Sequence, residues 1–209
     1  MYKVAITGGI GAGKSTVSKL FDEIGVPIFN SDLCAREAEQ NSEVKNKFKE
    51  ILGSDVFNND ILDRKKIRAI IFKDKEKLKQ VTQVITPYVE KSFNDFVNKN
   101  RKYSYVILES AILFETNKHN DFNAIITVTA NINKRRERVL KRDKITIEEF
   151  NDKINNQLPD DVKILKSDFV ILNNGNDMAD SLDYLTEQVY KIDKILRGYQ
   201  IITSGISKF

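Results

Sequence analysis

A glycine-rich segment near the amino terminus has the residue types and spacing that bind phosphate groups. Gly8, Gly13, Lys14 and Ser15 fit the pattern G-x-x-x-x-G-K-[ST], with an apolar run before it and a helical pattern after it. The glycines let the backbone turn tightly, so that successive N–H groups and the start of the next helix point at an anion. Lys14 is expected to reach the β- and γ-phosphates of a nucleoside triphosphate, and Ser15 to bind the Mg²⁺ ion between them. The motif therefore predicts a triphosphate site.

Asp32 follows a predicted strand, and its carboxylate could act on a hydroxyl group beside the γ-phosphate. In a parallel sheet with right-handed crossovers, the end of this strand opens at the same edge as the glycine loop. A carboxylate there could orient a substrate hydroxyl or accept its proton. Position alone leaves a second interpretation equally open, in which Asp32 or Ser31 caps the helix that begins near Leu33.

Arginines crowd one later segment. Arg135, Arg138 and Arg142 stand at i, i+3 and i+7 and should share a helix face, with Arg136 turned aside. Guanidinium groups on one face can hold the charge of a transferring phosphoryl group. A solvated helix surface is the commoner explanation of such a run. A nucleic-acid patch is the third alternative, although the segment lacks aromatic side chains for base stacking.

Of three further residues, Glu109 has two interpretations, whereas His119 and Cys34 have one each. Glu109 ends the third predicted strand, where it could hold magnesium through water or cap the segment that follows. His119 lies in a polar loop and is expected to be a surface histidine. Cys34 is expected to be a small packing residue near a helix start.

The pattern of apolar residues predicts an α/β fold. Near-continuous apolar runs such as "VAIT", "YVIL" and "AIITV" favour strands that are buried on both faces, as in a five-stranded parallel sheet covered by helices. The predicted strands span residues 2–7, 27–30, 103–109, 123–130 and 168–173.

The gap between the second and third predicted strands is far longer than a usual crossover, which indicates an inserted helical subdomain. It should contain a short helix over 63–72 and a long one over about 78–96, bent or broken at Pro87. A last amphipathic helix should run from Asp177 to about Leu196, and the tail after Gly198 has no assignment. The predicted division is a core of about 1–58 and 103–197, an insertion of about 59–102 and a helical lid of about 134–156.

Composition narrows the class of protein. The 209 residues suit one domain with a single core, and no apolar run approaches the roughly 20 residues of a membrane-spanning helix. The first residues lack a signal-peptide pattern and Cys34 is the single cysteine, so a reducing, cytoplasmic location is expected. A net charge of +4 suits polyanionic ligands as well as weak contact with nucleic acid.

Taken together, these motifs resemble the dephospho-CoA kinase family over nearly the whole chain. Besides the glycine loop, the matching pieces are "NSDLCAR" at 30–36, "LDRKKIRAIIF" at 62–72, "ILFE" at 112–115, "RVLKRD" at 138–143, Gln157, and "SDFVILNNG" at 167–175.

The resemblance implies transfer of the ATP γ-phosphate, with Mg²⁺, to the ribose 3′-hydroxyl of dephospho-CoA, the last step of coenzyme A synthesis. It implies that Asp32 is the acidic residue directed at the hydroxyl, that Arg138 and Arg142 are lid arginines, and that the insertion binds the acceptor. Asn173 and Gly175 fall in the segment that lies beside the adenine in this family. The remaining ATP-site residues that it implies are Gly8, Gly9, Ile10, Gly11, Ala12, Gly13, Lys14, Ser15 and Thr16.

Four positions depart from the family pattern. The first member of a D-x-D pair is Asn30 here, which leaves the carboxylate role to Asp32 alone. A His-Pro pair is Thr86-Pro87, so the acceptor contact of that histidine must be absent or replaced. Ala111 and Ile112 stand for the proline and leucine before "LFE".

Two other functions compete with this expectation, because the same loop serves kinases, ATPases and switches. One is a kinase for another small acceptor, such as a nucleoside monophosphate. The other is a nucleotide-dependent switch or nucleic-acid-dependent ATPase. The sequence shows no recognition helix or base-stacking cluster, so we expect neither a nucleic-acid nor a membrane partner, and a monomer is favoured.

Overall fold

The computed structural model describes residues 1–71, 74–175 and 178–206, the last range by backbone alone at 178–181 and 199–206. The strands are β1 (Tyr2–Thr7), β2 (Ile28–Asn30), β3 (Phe57–Asn58), β4 (Ile61–Leu62), β5 (Tyr105–Glu109), β6 (Ala124–Thr129) and β7 (Phe169–Leu172). The helices are α1 (Lys14–Glu23), α2 (Ser31–Ala38), α3 (Ser42–Leu52), α4 (Arg64–Ile71), α5 (Lys75–Lys99), α6 (Ile132–Asp143), α7 (Ile147–Asn155), α8 (Asp160–Leu165) and α9 (Met178–Ile206).

The chain divides into two compact units. The first takes in residues 1–29 and everything from Lys99 onward, and the second spans Asn30–Asn98. No helix among the described residues is both long and apolar enough to cross a membrane. The functional division into a core, an acceptor-binding insertion and a lid stays a prediction.

The first unit is built on a five-stranded sheet with the order β2-β5-β1-β6-β7. β1 runs parallel to β5 and β6, and β6 runs parallel to β7. The strand ends fall within two residues of the predicted ones, because long apolar runs mark strands that are buried on both faces. Every residue of β6 is buried. The predicted α/β fold with a five-stranded parallel sheet is confirmed.

Alternate residues of β1 belong to two different hydrophobic clusters. Val4 and Ile6 pack in a cluster to which α1 contributes Phe21 and α9 contributes Leu196. Ala5 points to the other face of the sheet and packs in a cluster with Phe114. Each fully buried large side chain contributes about 1.5–3 kcal/mol of hydrophobic stabilisation. The strand that leads into the glycine loop is therefore fixed from both sides.

The second unit has a hydrophobic core of its own. Val44, Phe48 and Leu52 share one face of α3 and pack with residues of α4 and α5. A two-residue hairpin joins β3 and β4, and its turn residues Asn59 and Asp60 both have positive φ, of 47° and 62°. Such a turn suits hairpins with a normal strand twist. The sequence analysis missed this hairpin, because each strand has only two residues.

Two expectations about helices are wrong. α5 continues through Pro87, so the predicted break is wrong and the predicted bend stays a prediction. Residues on both sides of the proline, including Val84 and Tyr88, pack against the core of the second unit. The last helix continues past Leu196 and Gly198 to Ile206, which shows that the roughly 1 kcal/mol cost of a helical glycine does not end it. The predicted start at Asp177 lies outside the described residues.

Candidate active site

Glycine is required at both ends of the phosphate loop, which joins β1 to α1. Gly8 has a φ of 147° and Gly13 a φ of 98°. A β-carbon at Gly8 would overlap the carbonyl oxygen of Val128, and one at Gly13 would overlap Nδ2 of Asn173. Val128 in β6 and Asn173 after β7 therefore lie against the loop backbone. A side chain at Gly8 or Gly13 would have a strained backbone angle and no room.

The loop places a cation and two hydroxyl groups together at the start of α1. Lys14 Nζ donates hydrogen bonds to the carbonyl oxygens of Gly8, at 2.9 Å, and Gly9, at 3.4 Å. Ser15 and Thr16 lie exposed in the first turn of the helix. Gly13 caps this helix without a side-chain hydrogen bond, so no side chain of its own competes with an anion there. The arrangement suits the binding of phosphate groups.

The Ile10 residue of the loop is held by two side chains from distant parts of the chain. Arg135 Nε donates to the Ile10 carbonyl oxygen at 2.8 Å, and Gln157 Oε1 accepts from the Ile10 N–H at 2.8 Å. Arg135 is buried and forms an ion pair of 2.6 Å with Asp160, which also accepts from Thr129 Oγ1 at 2.8 Å. The solvated-surface interpretation of Arg135 is therefore wrong, because this arginine fixes the loop from beneath.

Arg138 reaches the loop from the same helix. Its NH2 donates to the carbonyl oxygen of Asn173 at 3.1 Å, and its NH1 lies 3.5 Å from the carbonyl oxygen of Gly11. Partial burial lowers the pKa of the Arg138 guanidinium. Asn173 in turn donates through Nδ2 to the Ala12 carbonyl oxygen at 2.9 Å. The structure thus brings Arg138 and Asn173 together with the loop.

Arg142 stands apart from this group. It lies near the end of α6, with most of its side chain exposed, and holds the carboxylate of Asp143 through two hydrogen bonds of 2.7 and 2.9 Å. This pairing raises the pKa of the Arg142 guanidinium. Arg142 therefore forms a charged fork with Asp143 at the end of α6.

The segment after β7 is tied to the start of α6. Lys134 Nζ donates to the carbonyl oxygen of Gly175 at 3.0 Å, and Asn174 Oδ1 accepts from the backbone N–H of Asn131 at 2.7 Å. Neither contact was anticipated, since residues some forty positions apart give no local signal of their pairing. Gly175 takes part in this contact through its backbone carbonyl oxygen.

Asp32 lies exposed in the first turn of α2, within the second unit. The cap of this helix is Asn30, whose Oδ1 accepts from the N–H of Leu33 at 2.8 Å. The interpretation of Asp32 or Ser31 as the cap is therefore wrong. The carboxylate of Asp32 takes no part in capping α2.

The remaining candidates are Glu109, His119 and Cys34. Residues 113–117 form turns rather than a regular helix, and the magnesium role of Glu109 stays a prediction. His119 is partly buried, with its ring centroid 5.2 Å from that of Phe114, so the expected surface position is confirmed only in part. Cys34 is buried in α2, which confirms its packing role.

The parallel sheet, the glycine loop between β1 and α1, and the arginine that reaches the loop from α6 define a P-loop kinase. A family model described as dephospho-CoA kinase (CoaE) matches residues 2–179. The chain belongs to the dephospho-CoA kinase family, whose members phosphorylate dephospho-CoA to coenzyme A with ATP as the donor.

Relatives match along most of their own length. The chain is 35% identical over 199 residues to the dephospho-CoA kinase of Leptospira interrogans serovar Lai, with 94% of each chain covered. It is 35% identical over 196 residues to that of Chlorobaculum tepidum, with 90% of this chain and 93% of the other covered.

Solved structures agree on the fold. The structure of TT1252 from Thermus thermophilus gives a TM-score of 0.79 at 26% identity, over 91% of this chain and 96% of that one. Dephospho-CoA kinase from Campylobacter jejuni gives a TM-score of 0.65 at 22% identity, over 92% of this chain and 97% of that one.

Proposed function

We propose that this chain transfers the γ-phosphoryl group of ATP directly, in line, to the ribose 3′-hydroxyl of dephospho-CoA. The observation that carries the proposal is the position of Arg138, which reaches the Gly11 carbonyl of the loop and the carbonyl of Asn173, a residue that itself bonds to the loop. A guanidinium held there lies beside a backbone that is suited to a triphosphate. Within the family that the chain belongs to, this arrangement is expected to act on charge that develops during phosphoryl transfer.

The loop residues from Gly8 to Thr16 hold the phosphates of ATP through backbone N–H groups and the start of α1. Lys14 leaves the carbonyls of Gly8 and Gly9 for the β- and γ-phosphates. Ser15 fits a magnesium ion, because its hydroxyl is exposed one residue after Lys14 and oxygen is the ligand that this ion prefers. Magnesium held by Ser15 would supply positive charge that offsets the negative charge of the phosphates.

Asp32 aligns the attacking hydroxyl and accepts its proton late in the reaction. Because the transition state of phosphoryl transfer is loose, alignment of the hydroxyl matters more than the basicity of the carboxylate. Arg142 joins Arg138 on the transferring group, which requires its fork with Asp143 to open. Asn173 and Gly175 lie beside the adenine of ATP.

The test is an ADP-release assay with ATP and Mg²⁺ that compares dephospho-CoA, AMP and no added acceptor, with mass analysis of the product. We expect release that depends on dephospho-CoA and a product that is heavier by one phosphate. Release that depends on AMP instead would assign a nucleoside monophosphate acceptor. Release without any phosphorylated small product, governed by added oligonucleotide, would assign a nucleotide-dependent switch or ATPase.

A further inference from the structure

The Gly9–Ile10 peptide of the phosphate loop is held at both of its polar atoms. Its N–H, which belongs to Ile10, donates to Gln157 Oε1 at 2.8 Å. Its carbonyl, which belongs to Gly9, accepts from the N–H of Ala12 at 3.2 Å and from Lys14 Nζ at 3.4 Å. In a planar trans peptide the N–H and C=O point in opposite directions. A side chain that fixes the N–H therefore also fixes the carbonyl that faces Lys14.

The side chain of Gln157 is itself held in place. Gln157 lies in the short connection between α7 and α8, where its backbone N–H donates to the carbonyl of Ile154 at 3.0 Å. The next residue, Leu158, donates its N–H to Glu115 Oε1 at 2.8 Å. Gln157 Nε2 lies 3.5 Å from the carbonyl oxygen of Ala111. An amide with an N–H at its oxygen and a carbonyl at its nitrogen has one favoured orientation.

A neutral acceptor suits this position. The loop must keep its remaining N–H groups convergent on an anion, and a flip of the Gly9–Ile10 peptide would break the bond between the Gly9 carbonyl and the Ala12 N–H that shapes the turn. A carboxylate at position 157 could hold the same N–H, but it would add negative charge close to a triphosphate. The amide oxygen of Gln157 fixes the peptide without that repulsion.

We propose that Gln157 is a positioning residue of the phosphate loop, which fixes the Gly9–Ile10 peptide and thereby the loop backbone that binds the nucleotide. The inference rests on the proposed ATP site and adds to it a determinant of nucleotide affinity outside the glycine motif. Arg135 holds the next peptide of the loop through the carbonyl of Ile10, so the two side chains fix consecutive peptides.

The test replaces Gln157 with methionine, which has a similar length and no amide. We expect the Kd for ATP, measured by calorimetry, and the KM for ATP to rise about tenfold, the effect of one hydrogen bond. The KM for dephospho-CoA should change less than twofold. Asn156→Ala is the matched control: its side chain, in the same connection, bonds only to the Asp152 carbonyl among the contacts described. It should leave both constants unchanged.

Two outcomes would overturn the proposal. Tighter ATP binding by Gln157→Met would show that Gln157 competes with the nucleotide for the Ile10 N–H. An unchanged Kd together with a lower thermal midpoint would show a role in stability alone. Gln157→Ala gives a second reading of the same contact if the methionine variant folds poorly. Because nucleotide binding is measured without an acceptor, failure to phosphorylate dephospho-CoA would not affect the result.

Discussion

Asn30 and Asp32 stand two residues apart and carry similar side chains with different tasks. Asn30 satisfies the backbone of α2, because its side-chain oxygen accepts from the N–H of Leu33 and caps the helix. Asp32 is exposed and takes no part in the cap. A substitution at Asp32 should therefore test chemistry with little effect on the helix.

The first prediction concerns this carboxylate. Asp32→Asn keeps the shape of the side chain but removes the proton acceptor, so kcat should fall by about 10²–10⁴. The Kd for ATP should stay within twofold, because the phosphate loop is unchanged. Glu37→Gln, on an exposed position of the same helix, is the control and should turn over normally. Near-normal turnover by Asp32→Asn would remove Asp32 from the mechanism.

The second prediction separates two arginines of α6. Arg138→Lys keeps the charge but loses the planar fork that reaches the Gly11 and Asn173 carbonyls, so kcat should fall about tenfold to a hundredfold. The thermal midpoint should change little. Arg136→Lys is the control, since Arg136 bonds to Asn133 on an exposed side of the helix. Equal rates for both variants would return Arg138 to a surface role.

The residues of the site were predictable from sequence to the extent that their signals are local. The loop from Gly8 to Thr16 is identified by glycines and a lysine at fixed spacing. The partners of that loop are not, because Gln157 and the Arg135–Asp160 pair meet it only after the chain has folded back. Spacing placed Arg135 and Arg138 on one face correctly, but could not tell that the first would be buried.

At the scale of elements, the sheet was predictable because apolar runs mark strands that are buried on both faces, as in β6. Elements whose form depends on partners were not. α5 passes Pro87 because its neighbours are packed, and the short β3–β4 hairpin has too few residues for a period to show. Local propensity was overridden by tertiary contact in the first case.

The third prediction concerns the contact between β5 and α9. Tyr105 OH donates to Asp193 Oδ1 at 2.6 Å, and burial, together with this bond, raises the pKa of the Tyr105 phenol. Tyr105→Phe should lower the free energy of unfolding by about 1–2 kcal/mol at pH 7. Because folding favours the protonated phenol, Tyr105 adds to the stability below about pH 10, the pKa of the phenol in the unfolded chain. This contribution is lost as the pH rises through the pKa of the phenol in the folded state. The deficit of the variant should therefore shrink above pH 10.

Urea unfolding of both proteins at pH 7, 9 and 11 measures this difference directly. Groups that titrate in both proteins cancel, so the difference reports Tyr105 alone. Tyr190→Phe, at an exposed position of α9, should follow the parent at every pH. Parallel curves for the parent and Tyr105→Phe would show that the phenol does not titrate differently in the folded state.

At the scale of the whole molecule, the chain has separate hydrophobic cores in its two units. The first unit packs Ile126 of β6 among residues of the sheet and its helices, and the second packs Phe48 among residues of α3, α4 and α5. The phosphate loop belongs to the first unit and Asp32 to the second. Regions with separate cores can open at different free energies. We therefore expect the two units, each of which supplies residues to the proposed chemistry, to open independently of each other.

The last prediction tests this independence with one substitution in each core. Phe48 is 1% exposed, so Phe48→Ala should cost about 3–5 kcal/mol within the second unit. Amide hydrogen exchange should then quicken over residues 30–98 and stay slow in β1 and β6, while ATP binding persists and acceptor phosphorylation falls. Ile126→Ala should give the reverse pattern of exchange and weaken ATP binding. If Phe48→Ala quickens exchange in β6 as much as in α3, the two cores unfold as one cooperative unit, and acceptor and nucleotide binding cannot be separated by stability.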